Sequence, residues 1–81
     1  MLSTAQIRAA RSLLGWRQED LAEAAQVAIS TVRRIEAQKG TAMGYVSTLL
    51  RIQKAFEQAG VQFMDDDDFG GIGVRLQRTK R

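Results

Sequence analysis

Among the charged side chains in the first 64 residues of this 81-residue chain, basic ones outnumber acidic ones. Eight lysines and arginines stand there against five acids, with Arg33, Arg34 and Lys39 the most closely spaced. A mildly basic helical segment favours nucleic acid over acidic metabolites as a partner. Arg33 and Arg34 are equally compatible with an ordinary solvated helix face, so charge alone does not decide between these uses.

The chain contains neither cysteine nor histidine. This excludes a disulfide scaffold, a Cys/His zinc site, a thiol nucleophile and histidine acid–base chemistry. We therefore expect no enzyme, and no residue is assigned as catalytic, cofactor-binding or metal-ligating. The first residues lack the pattern of a signal peptide, and no apolar run is long enough to span a bilayer. A cytoplasmic protein without a membrane partner or small-molecule substrate is expected.

Four consecutive aspartates, Asp65–Asp68, form the only dense acidic run. Their spacing differs from that of a calcium-binding loop, and consecutive carboxylates point in different directions. We expect a solvated, self-repelling loop rather than a metal site. Such a loop would also keep its end of the protein away from phosphates.

Two helices are predicted in the first 25 residues. Ser3 and Gln6 have the spacing of a capping box, and Gly15 is suited to the left-handed residue that ends a helix. A second, short helix is predicted from about Gln18 to Ala25, because its acids lie in the first two turns, where the helix dipole favours negative charge.

Two further helices are predicted before Gly60. The third runs from Ser30 to Ala37 and carries a thin apolar stripe. The fourth is capped by Thr41 and ends at about Ala59, with the most regular helical spacing in the chain. Its stripe, flanked by Val46 and Leu50, is expected to form core or dimer interface rather than a cofactor pocket, and comprises Tyr45, Leu49, Ile52 and Phe56.

After Gly60 the pattern changes from helical spacing to alternation. Short apolar–polar repeats around Val61–Phe63 and Val74–Leu76 flank an acidic, glycine-rich loop, which predicts a β-hairpin. Residues 77–81 form a basic end. The predicted fold is a mostly α domain of four to five helices with a short C-terminal β appendage, divided into residues 1–60 and 61–81.

The stretch from residue 14 to residue 36 resembles a known family. Two short helices joined by a turn of three or four residues cross at a steep angle, which frees the outer face of the second helix to enter a groove. Leu-Gly-Trp-Arg-Gln-Glu-Asp-Leu-Ala at residues 14–22 and Val-Arg-Arg-Ile-Glu at residues 32–36 resemble the helix-turn-helix family of Cro and C1 repressors and regulators of the xenobiotic-response-element type. The resemblance covers roughly residues 5 to 60 and implies a lambda-repressor-like fold that binds double-stranded DNA.

The resemblance also implies roles for individual residues. In the family, the position of Gln18 holds a phosphate, Arg34 is placed to read guanine, and Ile29 to touch a thymine methyl group. Arg11 and Glu36 match a structural salt bridge between the first helix and the recognition helix. The full set of implied DNA-binding residues is Arg17, Gln18, Ala28, Ile29, Ser30, Thr31, Arg34 and Lys39.

Three positions depart from the family pattern. Arg17 stands where the family usually has a Ser or Thr cap. Gln26 replaces the usual turn glycine, so we expect a non-glycine residue in a left-handed conformation. Ala28 replaces a frequent Ser, which leaves the recognition helix without a side-chain cap.

The expected function is that of a dimeric, sequence-specific transcriptional regulator in bacteria, such as a repressor of its own promoter, bound to a pseudo-palindromic operator. The hairpin is too small to be stable alone, so it must pack on the helices or pair with a second chain. We expect strands of two subunits to join edge to edge through Val61, Phe63, Val74 and Leu76. The alternative function is a protein-interaction module, similar to antitoxins or antiactivators on the same scaffold.

Overall fold

Four helices and one β-hairpin follow one another in the computed structural model, which describes residues 2–78. The predicted mostly α fold with a C-terminal hairpin is confirmed, whereas residues 79–81 of the predicted basic end lie outside the described residues. Within residues 2–78, no helix is long and apolar enough to cross a membrane. The elements are α1 (Thr4–Leu14), α2 (Gln18–Ala25), α3 (Ile29–Glu36), α4 (Val46–Gln58), β1 (Val61–Met64) and β2 (Gly73–Leu76).

The ends of α1 are fixed by the predicted local signals. The Ser3 hydroxyl accepts a hydrogen bond from the Gln6 backbone N–H at 3.0 Å, and the Gln6 side chain accepts one from the Ser3 N–H at 2.9 Å. This is the expected capping box. Gly15 ends the helix in the left-handed region, with φ 67°. Both predictions are confirmed.

One apolar core joins all four helices to the hairpin. Phe56 of α4 is fully buried, and Trp16 stacks on its ring at a centroid distance of 5.6 Å. The edge of Phe63 meets Phe56 at 5.9 Å. Complete burial of each large side chain contributes about 1.5–3 kcal/mol, and Leu21 of α2 and Ile35 of α3 are buried in the same core. The largest fully buried aliphatic residues are Ile7, Leu21, Val32, Ile35, Ile52 and Val61.

Helix α4 begins later than predicted, so the expected cap at Thr41 is wrong. Residues 40–42 instead run along the start of α1: the Thr4 N–H donates to the Gly40 carbonyl oxygen at 2.8 Å, and the Ala42 N–H donates to the Leu2 carbonyl oxygen at 2.9 Å. Because these bonds hold residues 40–42 alongside residues 2–4, the helix starts only after Tyr45. The predicted apolar stripe loses its first member, since Tyr45 is 79% exposed. Helix α3 begins and ends one residue earlier than predicted.

The hairpin packs on its own helices. Strands β1 and β2 are antiparallel, with Val61 opposite Leu76 and Phe63 opposite Val74. Val61 is 2% exposed, and Phe63 and Val74 pack against the core, so these three predicted interface residues serve this chain's own interior. Leu76 alone of the four is substantially exposed, at 45%. Packing on the helices is therefore observed, and pairing with a second chain stays a prediction.

One side chain of α1, that of Gln6, forms hydrogen bonds to both strands of the hairpin. The Gln6 amide nitrogen donates to the carbonyl oxygens of Met64 and Gly73, both at 3.1 Å. Gln6 is almost fully buried, and its side-chain oxygen accepts the Ser3 N–H. One glutamine thus caps α1 and satisfies two strand carbonyls, which orients the hairpin against α1.

Candidate nucleic-acid interface

The turn between α2 and α3 sets the angle between the two helices. Gln26 ends α2 in the left-handed region, with φ 57° and ψ 49°. The Val27 N–H then donates to the Ala22 carbonyl at 3.0 Å, which closes the turn. The predicted left-handed conformation of a non-glycine residue is confirmed; it carries a strain of about 1 kcal/mol. Ala28 directly precedes α3, with extended backbone and no side-chain hydrogen bond to the helix, as expected.

Helix α3 has two opposite faces. Val32 and Ile35 are each 1% exposed and face the core. Arg33 and Arg34 lie in solvent, and within residues 2–78 neither forms an ion pair with a carboxylate. Their guanidinium groups are therefore available to an external anion or base.

The residues that begin α3 are less uniform than the resemblance implies. Ala28 and Ser30 are exposed, whereas Ile29 and Thr31 are half-buried, and Ile29 packs against the core. Ile29 therefore presents only part of its side chain to the outside. Lys39 is exposed in the segment that follows α3.

Arg17 precedes α2 and belongs to a small surface network. The Asp20 carboxylate accepts the Arg17 backbone N–H at 2.8 Å, whereas the Arg17 side chain, as expected from its type, caps no N–H of the first turn of α2. This hydrogen bond is the main reason that the pKa of Asp20 lies below its usual value. The Arg17 guanidinium also lies 3.6 Å from Asp20 and 3.9 Å from Glu19. Because all three groups face solvent, these pairs are weak and can rearrange.

A buried polar cluster joins α1, α2 and α3 behind the exposed face. Arg11 donates from Nε and Nη2 to the two carboxylate oxygens of Glu36, at 2.7 and 2.8 Å. The Glu36 side chain is only 4% exposed. Arg11 Nη1 also donates to the Trp16 carbonyl at 3.1 Å. Because this fork links the end of α3 to α1 and to the start of α2, it fixes the orientation of α3 within the domain.

Three contacts in and beside this cluster were not predicted. Gln18 Nε2 donates to the Glu36 carboxylate at 3.3 Å, and Arg8 Nη1 donates to the Glu36 backbone oxygen at 2.8 Å. Gln38 clamps the segment after α3 by bonding both the N–H and the carbonyl of Met43, at 2.8 and 2.9 Å. The two contacts to Glu36 depend on how separate elements meet, so no local sequence signal reveals them.

The acidic loop forms side-chain hydrogen bonds to its own backbone. Asp65–Asp68 are all exposed, and Asp67 Oδ1 accepts the N–H groups of Phe69 and Gly70 at 2.8 and 3.0 Å. Over the described residues, 2–78, no three acidic, histidine or cysteine side chains come together as a metal site would need. The loop is thus a self-bonded turn that faces solvent.

Comparison with known proteins agrees with this geometry. The profile of the helix-turn-helix family matches residues 7–57, well over half of the chain, and spans α1 to nearly the end of α4. No curated protein matches the chain. The matched segment contains the α2–turn–α3 unit, the Arg11–Glu36 pair and the exposed cations of α3. The chain therefore belongs to the Cro/C1-type helix-turn-helix family of DNA-binding transcriptional regulators.

Proposed function

We propose that this regulator is a sequence-specific repressor that inserts α3 into the major groove of double-stranded DNA. The observation that carries the proposal is the two-sided character of α3. Val32 and Ile35 anchor one face in the core, while Arg33 and Arg34 face solvent without a carboxylate partner among residues 2–78. A helix held in this way can present its outer face to base edges.

Base reading is assigned to the outer face and first turn of α3. Arg34 donates two hydrogen bonds to O6 and N7 of a guanine, which is the commonest specific contact in the major groove. Ile29 offers its exposed part to a thymine methyl group. The remaining residues of this set are Ala28 and Ser30, which are small enough to let the backbone approach the bases.

Phosphate binding is assigned to residues that flank the base-reading set. Such contacts fix register and supply affinity without reading sequence. Lys39 is an exposed cation in a segment held by the Gln38 clamp. Arg17 can leave its weak surface pairs for a phosphate. Gln18 and Thr31, both half-buried, complete the set.

We further propose that the regulator acts as a homodimer on a pseudo-palindrome, with its two α3 helices in successive major grooves about 34 Å apart. Residues 1–60 bind DNA, and residues 61–81 serve dimerisation. The apolar side chains of Val61, Phe63 and Val74 stay in their own core, so contact between copies runs through the strand edge and the exposed Leu76. A second recognition module compensates for the weak binding of one small domain.

The proposed role is repression of the protein's own promoter in a bacterial cytoplasm. Footprinting on the DNA upstream of its coding region tests whether the protein binds there. The proposal predicts protection of two half-sites about ten base pairs apart, overlapping the promoter. Protection that appears only at concentrations that also cover unrelated DNA would contradict it.

A second candidate is a protein-interaction module of the antitoxin or antiactivator kind. One observation favours it: apolar side chains lie exposed around the start of α4, namely Met43 (69%), Tyr45 (79%), Val46 (64%) and Leu50 (56%). Contiguous exposed apolar surface is typical of protein contact sites. Retention of a protein partner by an Arg34→Ala variant that no longer binds DNA specifically would support this second function.

A further inference from the structure

The side-chain amide of Gln18 is held from behind by a buried carboxylate. Gln18 is the first residue of α2, and its Nε2 lies 3.3 Å from Glu36 Oε1 at the end of α3. The same oxygen accepts Arg11 Nη2 at 2.8 Å, and Oε2 accepts Arg11 Nε at 2.7 Å. The forked grip of Arg11 therefore fixes the carboxylate that Gln18 contacts.

This contact selects one orientation of the glutamine amide. An amide can rotate by half a turn and exchange its donor nitrogen for its acceptor oxygen. A carboxylate only accepts hydrogen bonds, so the rotated orientation would oppose two acceptor oxygens. Glu36 therefore keeps the Gln18 nitrogen in place. Because Nε2 carries two hydrogens, one can bond Glu36 while the other remains for an anion outside the cluster.

The charge of the cluster also permits an anion nearby. A lone buried carboxylate would repel a phosphate at the start of α2. Arg11 neutralises Glu36 through two hydrogen bonds, and the Arg17 guanidinium lies exposed one residue before Gln18. The carboxylate can therefore orient the amide without opposing DNA.

We infer that Glu36 is a positioning residue for DNA binding: it aims the second Nε2 hydrogen of Gln18 at a phosphodiester oxygen of the DNA backbone. This inference rests on the proposed function and deepens it, because it gives the Arg11–Glu36 pair a part in binding beyond its part in holding α3. Gln18 touches the phosphate, and Glu36 acts through Gln18.

A double-mutant cycle tests the inference, using Gln18→Ala, Glu36→Gln and both together on a short duplex of random sequence at low salt. We expect Gln18→Ala to weaken binding about tenfold, as loss of a hydrogen bond to a charged group does. Glu36→Gln should weaken binding several-fold more when Gln18 is present than when Gln18 is alanine, because only the loss through the fold remains in the second case. Equal losses in both backgrounds would show that Glu36 acts through the fold alone and would overturn the inference.

The chain offers a matched control for this cycle. On α4, Gln53 Nε2 donates to Glu57 Oε2 at 3.2 Å, a contact of the same kind on an exposed helix face. Gln53→Ala and Glu57→Gln should leave DNA affinity within a factor of two, alone and together. Coupling of equal size at this control pair would also overturn the inference.

Nuclear magnetic resonance on the unmodified protein covers the case in which Glu36→Gln fails to fold. In the complex with the duplex, both Nε2 hydrogens of Gln18 should exchange with water at least tenfold more slowly than those of Gln53. Equal exchange rates would overturn the inference while leaving the proposed function intact. A wild-type protein that binds no duplex at low salt would overturn both.

Discussion

Arg11 and Glu36 meet through two parallel hydrogen bonds across the interface of α1 and α3, Nε to Oε2 at 2.7 Å and Nη2 to Oε1 at 2.8 Å. They lie 25 residues apart in sequence. The carboxylate is 4% exposed and the guanidinium side chain 20% exposed. Such a pair fixes geometry more than it adds net stability, but removal of one partner leaves an uncompensated buried charge.

Arg11→Ala should lower the free energy of unfolding by about 3–5 kcal/mol, because it strands the Glu36 carboxylate. Arg8→Ala is the matched control on the same helix, since among residues 2–78 the Arg8 side chain donates to the Glu36 backbone oxygen and to no carboxylate. The control should lose about 1 kcal/mol. Urea denaturation followed by circular dichroism measures both. Equal losses in the two variants would show that the buried charge pair has no special role in the fold.

Ala28→Ser should stabilise the domain by about 1 kcal/mol, because the new hydroxyl can accept an N–H from the first turn of α3. Ala37→Ser, at the opposite end of the same helix, offers no such cap and should change stability by less than about 0.5 kcal/mol. Thermal unfolding of the two variants and the wild type measures these changes in stability. A gain from Ala37→Ser as large as that from Ala28→Ser would contradict the capping explanation.

Arg34→Ala and Lys39→Ala should separate base reading from phosphate binding. Loss of Arg34 should weaken specific binding by about 1–3 kcal/mol and relax the preference at one base pair. Loss of Lys39 should weaken binding to all sequences alike and flatten the dependence of affinity on salt. Titrations of specific and random duplexes at several salt concentrations measure both effects. If the two variants lost affinity equally on both duplexes, Arg34 would not read a base.

Leu76→Asp should convert the proposed dimer to monomers, since Leu76 is the exposed apolar residue of β2. Leu13→Asp is the matched control, because Leu13 has nearly the same exposure, 43%, on α1. Sedimentation velocity distinguishes the two states. Phe63→Asp is less suitable, because Phe63 contacts Phe56 and its loss would disturb the core. A Leu76→Asp variant that still sediments as a dimer would exclude contact between copies through β2.

Local sequence signals were sufficient for most of the helical part. The bounds of α2 and the ends of α1 follow from caps, helix-ending residues and charge placement, which act within one or two turns. The left-handed Gln26 and the uncapped Ala28 were predictable from the family resemblance, because they stand where the family usually has glycine and often has serine.

The start of α4 and the packing of the hairpin on the helices were harder to predict from the sequence. Thr41 is a good helix cap by type, but the bonds that hold its neighbours come from residues 2–4, almost forty positions away. The sequence likewise could not reveal that the Gln6 side chain would donate hydrogen bonds to both strands of the hairpin, whose apolar side chains pack against the core. Both features depend on contacts between distant segments, which periodicity does not encode.

Selection of bound duplexes from a random library at near-physiological salt, followed by sequencing, tests the central claim most directly. The account predicts enrichment of a two-fold site with half-sites about ten base pairs apart, as two α3 helices in successive major grooves require. Weak, salt-sensitive binding with no enriched sequence would contradict sequence-specific regulation and favour a protein partner.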